Sequence, residues 1–307
     1  MHRFVIDTDI GVDDAIAIMM ALRHPDVQVE AITTVAGNVG VEHATRNALY
    51  VAELCGAGVP VYRGMARPML RELSNAESVH GKDGLGDLDR EPPQGRPQAE
   101  HAVDALIRHV TAAPGEITVV ALGPLTNLGM ALLKEPAFAQ TVKEIVLMGG
   151  AANALGNVTP SAEFNIWADP DAAKLVFHCG APVIMAGWEL VWGEMMLTPD
   201  EMARLRASGA PCAVFAMDCT TKIVALYKQL FNTTSLAMPD PIAMAVAIDR
   251  RVCRAQEFYV TVETESDLTR GETVVDRFGV LGQPPNVAVC LEPDAARFKQ
   301  MIFDTLT

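Results

Sequence analysis

Four carboxylates, Asp7, Asp9, Asp13 and Asp14, fall within eight residues in the run Val5-Ile6-Asp7-Thr8-Asp9-Ile10-Gly11-Val12-Asp13-Asp14-Ala15. Unneutralised like charges at this spacing repel and raise one another's pKa values. A hard divalent cation, which takes oxygen ligands, removes the conflict. A helix start at Asp13 and Asp14 and a turn cap at Asp7 account for one or two of these acids. They do not account for the set, and metal binding does.

Other chemistry-bearing residues recur where strands are expected to end. Thr33-Thr34-Val35-Ala36-Gly37-Asn38 is apolar until it closes in Gly-Asn. In Ala121-Leu122-Gly123-Pro124-Leu125-Thr126-Asn127 a Gly-Pro pair breaks the strand and leaves backbone carbonyls open. Met148-Gly149-Gly150 is followed by Asn157 and by Glu163-Phe164-Asn165, and Met238-Pro239-Asp240-Pro241 wedges an acid between prolines. Each alone is an ordinary turn or helix entry. Together they set carboxylates, amides and an open carbonyl on one rim. Such a site suits a polyhydroxylated ligand, and suits Ca²⁺ better than Zn²⁺. No dinucleotide loop, Walker A loop, H-E-x-x-H or G-x-S-x-G motif is present.

The elements that must position these residues alternate through the first two thirds of the chain. Strands are expected at 3–6, 27–35, 117–122, 144–148 and 183–186, and helices at 15–22, 42–55, 125–133 and 170–178. Alternation of this kind predicts a parallel sheet with helices on both faces, a Rossmann-like α/β fold. The ligand crevice of such a sheet lies at the carboxyl ends of its strands. Helices are then expected at 199–208, 213–230 and 240–247, and strands at 257–263, 273–276 and 286–291 that form a small C-terminal β extension, before a closing helix at 294–306. The stretch 64–97, rich in Pro, Gly and charge and containing His80-Gly81-Lys82-Asp83-Gly84-Leu85-Gly86, reads either as an active-site flap or as a solvated surface loop.

The 307 residues are 50% hydrophobic with no shift in composition that marks a linker, so residues 1–307 are expected to form one domain with a large core. A net charge of −14 argues against a nucleic-acid partner, because no basic stripe displaces counterions. No apolar run reaches the ~18 residues of a membrane span, and the N-terminus enters a strand at once without a signal-peptide pattern. The six scattered cysteines, without a C-x-x-C pair, read as reduced core thiols of a cytoplasmic protein.

Asp7-Thr8-Asp9-Ile10-Gly11-Val12-Asp13-Asp14 resembles the N-terminal D-x-D-x-G-x-D-D signature of the inosine-uridine-preferring nucleoside hydrolases. The similarity continues through 33–38, His80-Gly81, 122–127, 146–150, Glu163-Phe164-Asn165 and Asp240-Pro241, and so covers nearly the whole chain. The resemblance implies the nucleoside hydrolase fold and a Ca²⁺ site with carboxylates from Asp9, Asp14 and Asp240 and the main-chain carbonyl of Leu122. Asp13, Asn38 and Asn165 would hold the ribose hydroxyls. Asn157 and Glu163, beside Phe164, would hold the 5′ end, with Met148 beneath the sugar and Asp7 in support. Asp9 is the expected general base, activating a water that the calcium ion holds. The products would be ribose and a free base. The resemblance also implies a small-molecule nucleoside substrate and a homodimer or homotetramer.

One departure stands out. Inosine-uridine members carry a His immediately before the last metal-binding Asp, as a candidate acid for the leaving base; here that residue is Pro239. General acid catalysis contributes typically ~10²–10⁴-fold. His80, Glu189, Trp192 and Lys222 are the candidates to replace it, and His80 could instead contact the base. Trp192 is expected to face the base and Trp188 to be a core or interface residue, with Tyr227 a further base-side residue. Pro239 keeps open a nucleoside or N-riboside binder without catalysis. A phosphatase of the haloacid-dehalogenase type, which also begins with a strand ending in D-x-D, would want Thr or Val where Gly11 stands.

Overall fold

In the first strand, β1 (His2–Thr8), Phe4 and Ile6 pack into one hydrophobic cluster and Val5 into another. A strand buried on both faces belongs inside a parallel sheet covered by helices on each side. The computed structural model, which describes all 307 residues, has this arrangement. The other strands are β2 (Val27–Thr34), β3 (Val61–Arg63), β4 (Ile117–Ala121), β5 (Glu144–Met148), β6 (Val183–Ala186), β7 (Cys253–Val262), β8 (Thr273–Asp276) and β9 (Val287–Pro293). They form one nine-stranded sheet in the order β3-β2-β1-β4-β5-β6-β9-β7-β8. All pairs from β3 to β9 in this order are parallel; β7 runs antiparallel to β9 and to β8. The expected C-terminal β extension is therefore the antiparallel edge of the main sheet.

Helices Val12–Arg23, Val41–Leu54, Pro239–Ile248 and Ala295–Leu306 contribute to the core on one face, and Ala102–Ala112, Thr126–Lys134 and Pro170–Phe177 to the core on the other. No helix is long and apolar enough to cross a membrane. Among the elements outside the expected series are β3, which pairs with β2, and helix Ala102–Ala112. The expected helix 213–230 is two helices, Pro211–Cys219 and Thr221–Phe231. At their junction Thr220 turns its hydroxyl back to the Ala216 carbonyl at 2.8 Å. Ser and Thr side chains that bond backward in this way weaken or bend a helix.

The parallel strands all point their carboxyl ends to one rim. From β1 the chain builds outward in opposite directions, through β2 to β3 and through β4 to β6. That reversal is the switch point at which α/β sheets open a crevice. The segment 64–97 lies across this rim. Asn38 O accepts Ala76 N–H at 3.0 Å, and Asn47 Nδ2 donates to Asp83 O at 2.7 Å. It contains one helical turn, Glu77–His80, and its His80, Gly81 and 84–86 are buried.

Candidate active site

The loop from β1 into helix Val12–Arg23 places Asp13 and Asp14 in that helix's first turn. Asp240 occupies the first turn of helix Pro239–Ile248, which packs against it. One carboxylate oxygen from each of Asp13, Asp14 and Asp240 lies within 4.8 Å of the others, and all three residues are buried. Asp14 is tied down on its protein side, accepting from Thr8 Oγ1 and, at 2.7 Å, from Gly11 N–H. Asp13 Oδ1 is buried with no hydrogen-bond partner. Burial raises the Asp13 pKa to about 6. Burial first, and then the charge of neighbouring aspartates, raises those of Asp9, Asp14 and Asp240.

Asp9 is not one of this trio but adjoins it. Asn38 Nδ2 lies 3.2 Å from Asp9 Oδ1 and 3.2 Å from Asp14 Oδ2, so one amide bridges the two acids. The loops after β2 and β4 close on Asp9 without side chains. A Cβ on Gly37 would stand 2.1 Å from Asp9 Oδ2, and one on Gly123 would stand 2.7 Å from Oδ1. Asp7 lies beneath, accepting from Thr33 Oγ1 at 2.6 Å and Asn127 Nδ2 at 2.8 Å. It thereby joins β1 to β2 and to the start of helix Thr126–Lys134, and burial raises its pKa to about 7.

The loop after β5 supplies the opposite wall. Asn165 Nδ2 donates to Leu122 O at 2.9 Å and Met148 O at 3.2 Å, tying the ends of β4 and β5 together. Glu163 is the N-cap of helix Phe164–Ala168. It accepts from Asn165 N–H at 3.0 Å, Ile166 N–H at 3.3 Å and Gly150 N–H at 2.9 Å, and burial raises its pKa to about 7. Asn157 Oδ1 accepts Phe164 N–H at 2.9 Å.

These walls enclose a cavity of about 370 Å³. Asp13, Asn38, His80, Leu122, Met148, Asn157, Glu163, Phe164, Asn165 and Asp240 all line it. Asp9, Asp14 and Asp7 stand behind its surface. His80 is buried, its Nδ1 accepting Val12 N–H at 3.2 Å and lying 3.7 Å from Asp13 Oδ1. Burial lowers its pKa to about 4. Gly11 makes room for the ring, since a Cβ there would meet His80 Nδ1 at 2.4 Å.

The expected roles of the two tryptophans are exchanged. Trp188 lines the cavity, with Tyr227 and Phe231, while Trp192 does not. Trp192 packs behind, with ring centroids 5.6 Å from Trp188, 6.2 Å from Tyr227 and 5.1 Å from Phe231. The two tryptophan rings meet edge to face, with Trp188 on the cavity side. Neither Glu189 nor Lys222 reaches the cavity wall. Glu189 accepts Ala152 N–H at 3.0 Å, and Lys222 pairs with Asp87. Sequence reasoning also missed Ile223, Leu226, Leu230 and Phe231, all cavity-lining on helix Thr221–Phe231. Their i, i+3, i+4, i+7, i+8 spacing with Tyr227 marks one helix face, which by pattern alone reads as core.

The donor set fits a hard metal ion. It is all oxygen, it concentrates negative charge in a buried space, and it leaves Asp13 Oδ1 unpaired.

The model of the family described as "Inosine-uridine preferring nucleoside hydrolase" matches residues 4–300. The chain belongs to this family. As a nucleoside hydrolase it is an N-glycosidase, in a family whose named relatives are ribonucleoside hydrolases. It is 38% identical to the pyrimidine-specific ribonucleoside hydrolase RihB of Escherichia coli (strain SE11) over 297 residues, 97% of this chain and 94% of the relative. The plant nucleoside hydrolase PpNRh1 superposes with a TM-score of 0.95 at 34% identity, covering 100% of this chain and 99% of that one. The purine-preferring ribonucleoside hydrolase from Gardnerella vaginalis superposes at 0.93 with 32% identity, covering 99% and 98%. This nucleoside hydrolase thus resembles relatives named for opposite base preferences.

Proposed function

We propose that the chain hydrolyses the N-glycosidic bond of ribonucleosides in a calcium-dependent reaction, releasing ribose and a free base. The observation that carries this is the buried Asp13–Asp14–Asp240 trio, with its unpaired Asp13 Oδ1, at the edge of a cavity lined by amides and carboxylates. Asp9, Asp14, Asp240 and the Leu122 carbonyl would hold the ion; when bound, Ca²⁺ acts as a Lewis acid that makes a water more acidic.

The rest falls to the chain's own side chains. Asp13, Asn38 and Asn165 orient the ribose hydroxyls, Asn157 and Glu163 hold the 5′ end, Phe164 closes that end, and Met148 packs under the sugar. Bond cleavage builds positive oxocarbenium character on the ribose, which the surrounding carboxylates favour without rearrangement. Asp9 takes the proton of the attacking water. Asn38 holds both of its oxygens in place for this, by backbone N–H at 2.6 Å and side-chain amide at 3.2 Å. A second reading gives that proton to Asp13, because Asp13 lines the cavity and has the unpaired oxygen.

Reducing-sugar release from a nucleoside panel, with and without Ca²⁺, tests the activity. Absence of ribose from every nucleoside overturns it, and persistent binding in that case favours the binder; phosphate release from phosphoesters favours the phosphatase. Asp9→Asn and Asp13→Asn separate the two bases. The true base loses kcat by at least ~10²-fold, whereas a ribose ligand shows mainly a raised KM.

We propose a cytoplasmic homodimer or homotetramer. Leu268, Phe278, Val280 and Leu281 are 51–91% exposed, and association would remove such surface from water. A monomer by sedimentation at micromolar concentration counts against it.

A further inference from the structure

We infer that the aglycone half of the cavity is built for a ring that departs without receiving a proton from the enzyme, and that the substrate class is an N-riboside of a cationic heteroaromatic ring, of the ribosylpyridinium type. This rests on the hydrolysis proposed above.

Pro239 stands in the cavity wall immediately before Asp240, where it can neither give nor take a proton. The wall beside it comes from Trp188 and one helix face: Ile223, Leu226, Tyr227, Leu230 and Phe231. No carboxylic acid, ammonium or guanidinium is among them. Lys222, on the same helix, is held outside by Asp87, and Glu189 faces the Ala152 amide. His80 reaches the cavity from the covering segment rather than from this wall; its Nδ1 accepts Val12 N–H, and the ring lies 3.7 Å from Asp13. The Tyr227 hydroxyl is the one polar group on that helix face. Burial raises its pKa, so it orients a ring better than it protonates one.

Such a wall is poor for releasing a neutral base, whose leaving nitrogen must gain a proton; that assistance is worth roughly 10²–10⁴-fold. It is well made for a cation. Aromatic faces attract positive charge. Tyr227 and Phe231 meet edge to face at 5.7 Å, and Trp192 packs behind both rings and Trp188. Cleavage then balances with water alone. The C1′–N bond breaks and its electron pair returns to the ring nitrogen, cancelling the positive charge. The water oxygen bonds to C1′, its proton passes to the carboxylate base, and ribose and a neutral heterocycle leave.

The test is kcat/KM of the full chain with Ca²⁺ on an N-ribosylpyridinium, p-nitrophenyl β-ribofuranoside, inosine and uridine. The ribosylpyridinium and the nitrophenyl riboside, neither needing a proton, should exceed inosine and uridine by about 10²-fold or more. Pro239→His should narrow that ratio by about tenfold or more, as an acid is restored. Phe231→Ala should raise KM for the ribosylpyridinium more than for uridine. Inosine or uridine at parity with the ribosylpyridinium overturns the inference and leaves hydrolysis standing. So does a His80→Asn variant that loses activity on the neutral nucleosides alone, since His80 would then be the acid. Failure of all four compounds to yield ribose overturns the hydrolase reading itself. The wild-type ratio decides the matter even where a variant fails to fold.

Discussion

The backbone N–H of Asn38 donates to Asp9 Oδ2 across 2.6 Å, and the Asn38 side chain reaches Asp9 Oδ1 at 3.2 Å. Both oxygens of Asp9 are thus held by a residue from the loop after the neighbouring strand. The approach depends on Gly37, where a Cβ would come within 2.1 Å of Oδ2. Gly37→Ala should displace the carboxylate and lower kcat by about 10²-fold, the cost of misplacing a catalytic group by about 1 Å. Gly40→Ala, three residues on with nothing within 4 Å of its Cβ, is the control and should keep kcat near wild type. Steady-state kinetics on the two variants check this.

Chelation should remove both activity and stability. The repulsion among Asp13, Asp14 and Asp240 is uncompensated without a cation, so the protein should melt lower after EGTA treatment and recover on adding Ca²⁺. At a free ion concentration about 100 times the Kd the gain is about 2.7 kcal/mol. Asp240→Asn should weaken the calcium response of the melting temperature. A melting temperature indifferent to chelator and ion counts against the site.

Glu163 should impose a pH dependence on stability. Its carboxyl is raised to about 7, mainly by burial, so between the ordinary value of 4.5 and about 7 the folded chain binds more protons than the unfolded one. Stability therefore falls as pH rises through this window. The contribution of Glu163 is full below the lower value and lost above the upper one, on the order of 1–3 kcal/mol. Glu163→Gln should flatten that slope in urea unfolding series at pH 5 to 8, while losing some overall stability because its backbone N–H partners lose an acceptor. An unchanged slope refutes the assignment.

The covering segment should unseat on one methyl group. Gly86 has φ +77°, and a Cβ there would meet the Cys219 carbonyl oxygen at 2.3 Å. Gly86→Ala combines a left-handed backbone with a backbone clash, a cost of about 1–3 kcal/mol. KM should rise by tenfold or more on the same ~1–3 kcal/mol scale, with a smaller effect on kcat, and proteolysis within 64–97 should quicken. Unaltered KM and cleavage show that the segment does not shape the cavity.

The side of the cavity that holds the acids and amides was legible because its residues sit at ends of elements that announce themselves. Asp9 to Asp14 follow an apolar strand and precede an apolar helix, and Asn38, Leu122 and Met148 close or follow recognisable strands. The side lined by helix Thr221–Phe231 was not. Ile223 to Phe231 form an apolar helix face, and an apolar face that lines a cavity has the same pattern as one that fills a core. Trp188 and Trp192 lie four residues apart, and which of them faces the cavity depends on backbone angles around Gly187 and Gly193 that neighbouring residue types do not specify. The helix break at Thr220 was hidden because apolar positions continue through it. The parallel sheet was foreseen, but the edge on which β7 to β9 join it depends on long-range pairing, which no local window contains.

The order of the sheet has a consequence for the nascent chain. β1 leaves the ribosome first yet sits mid-sheet, and Asp240 follows long after Asp13 and Asp14. Their cation pocket is therefore closed only by contacts of high sequence separation, which form slowly. A premature stop before Asp240 leaves the N-terminal acids with no counterpart and no reduced form of the catalyst. In genetic terms, a stop codon just before Asp240 is expected to be as damaging as one near the start.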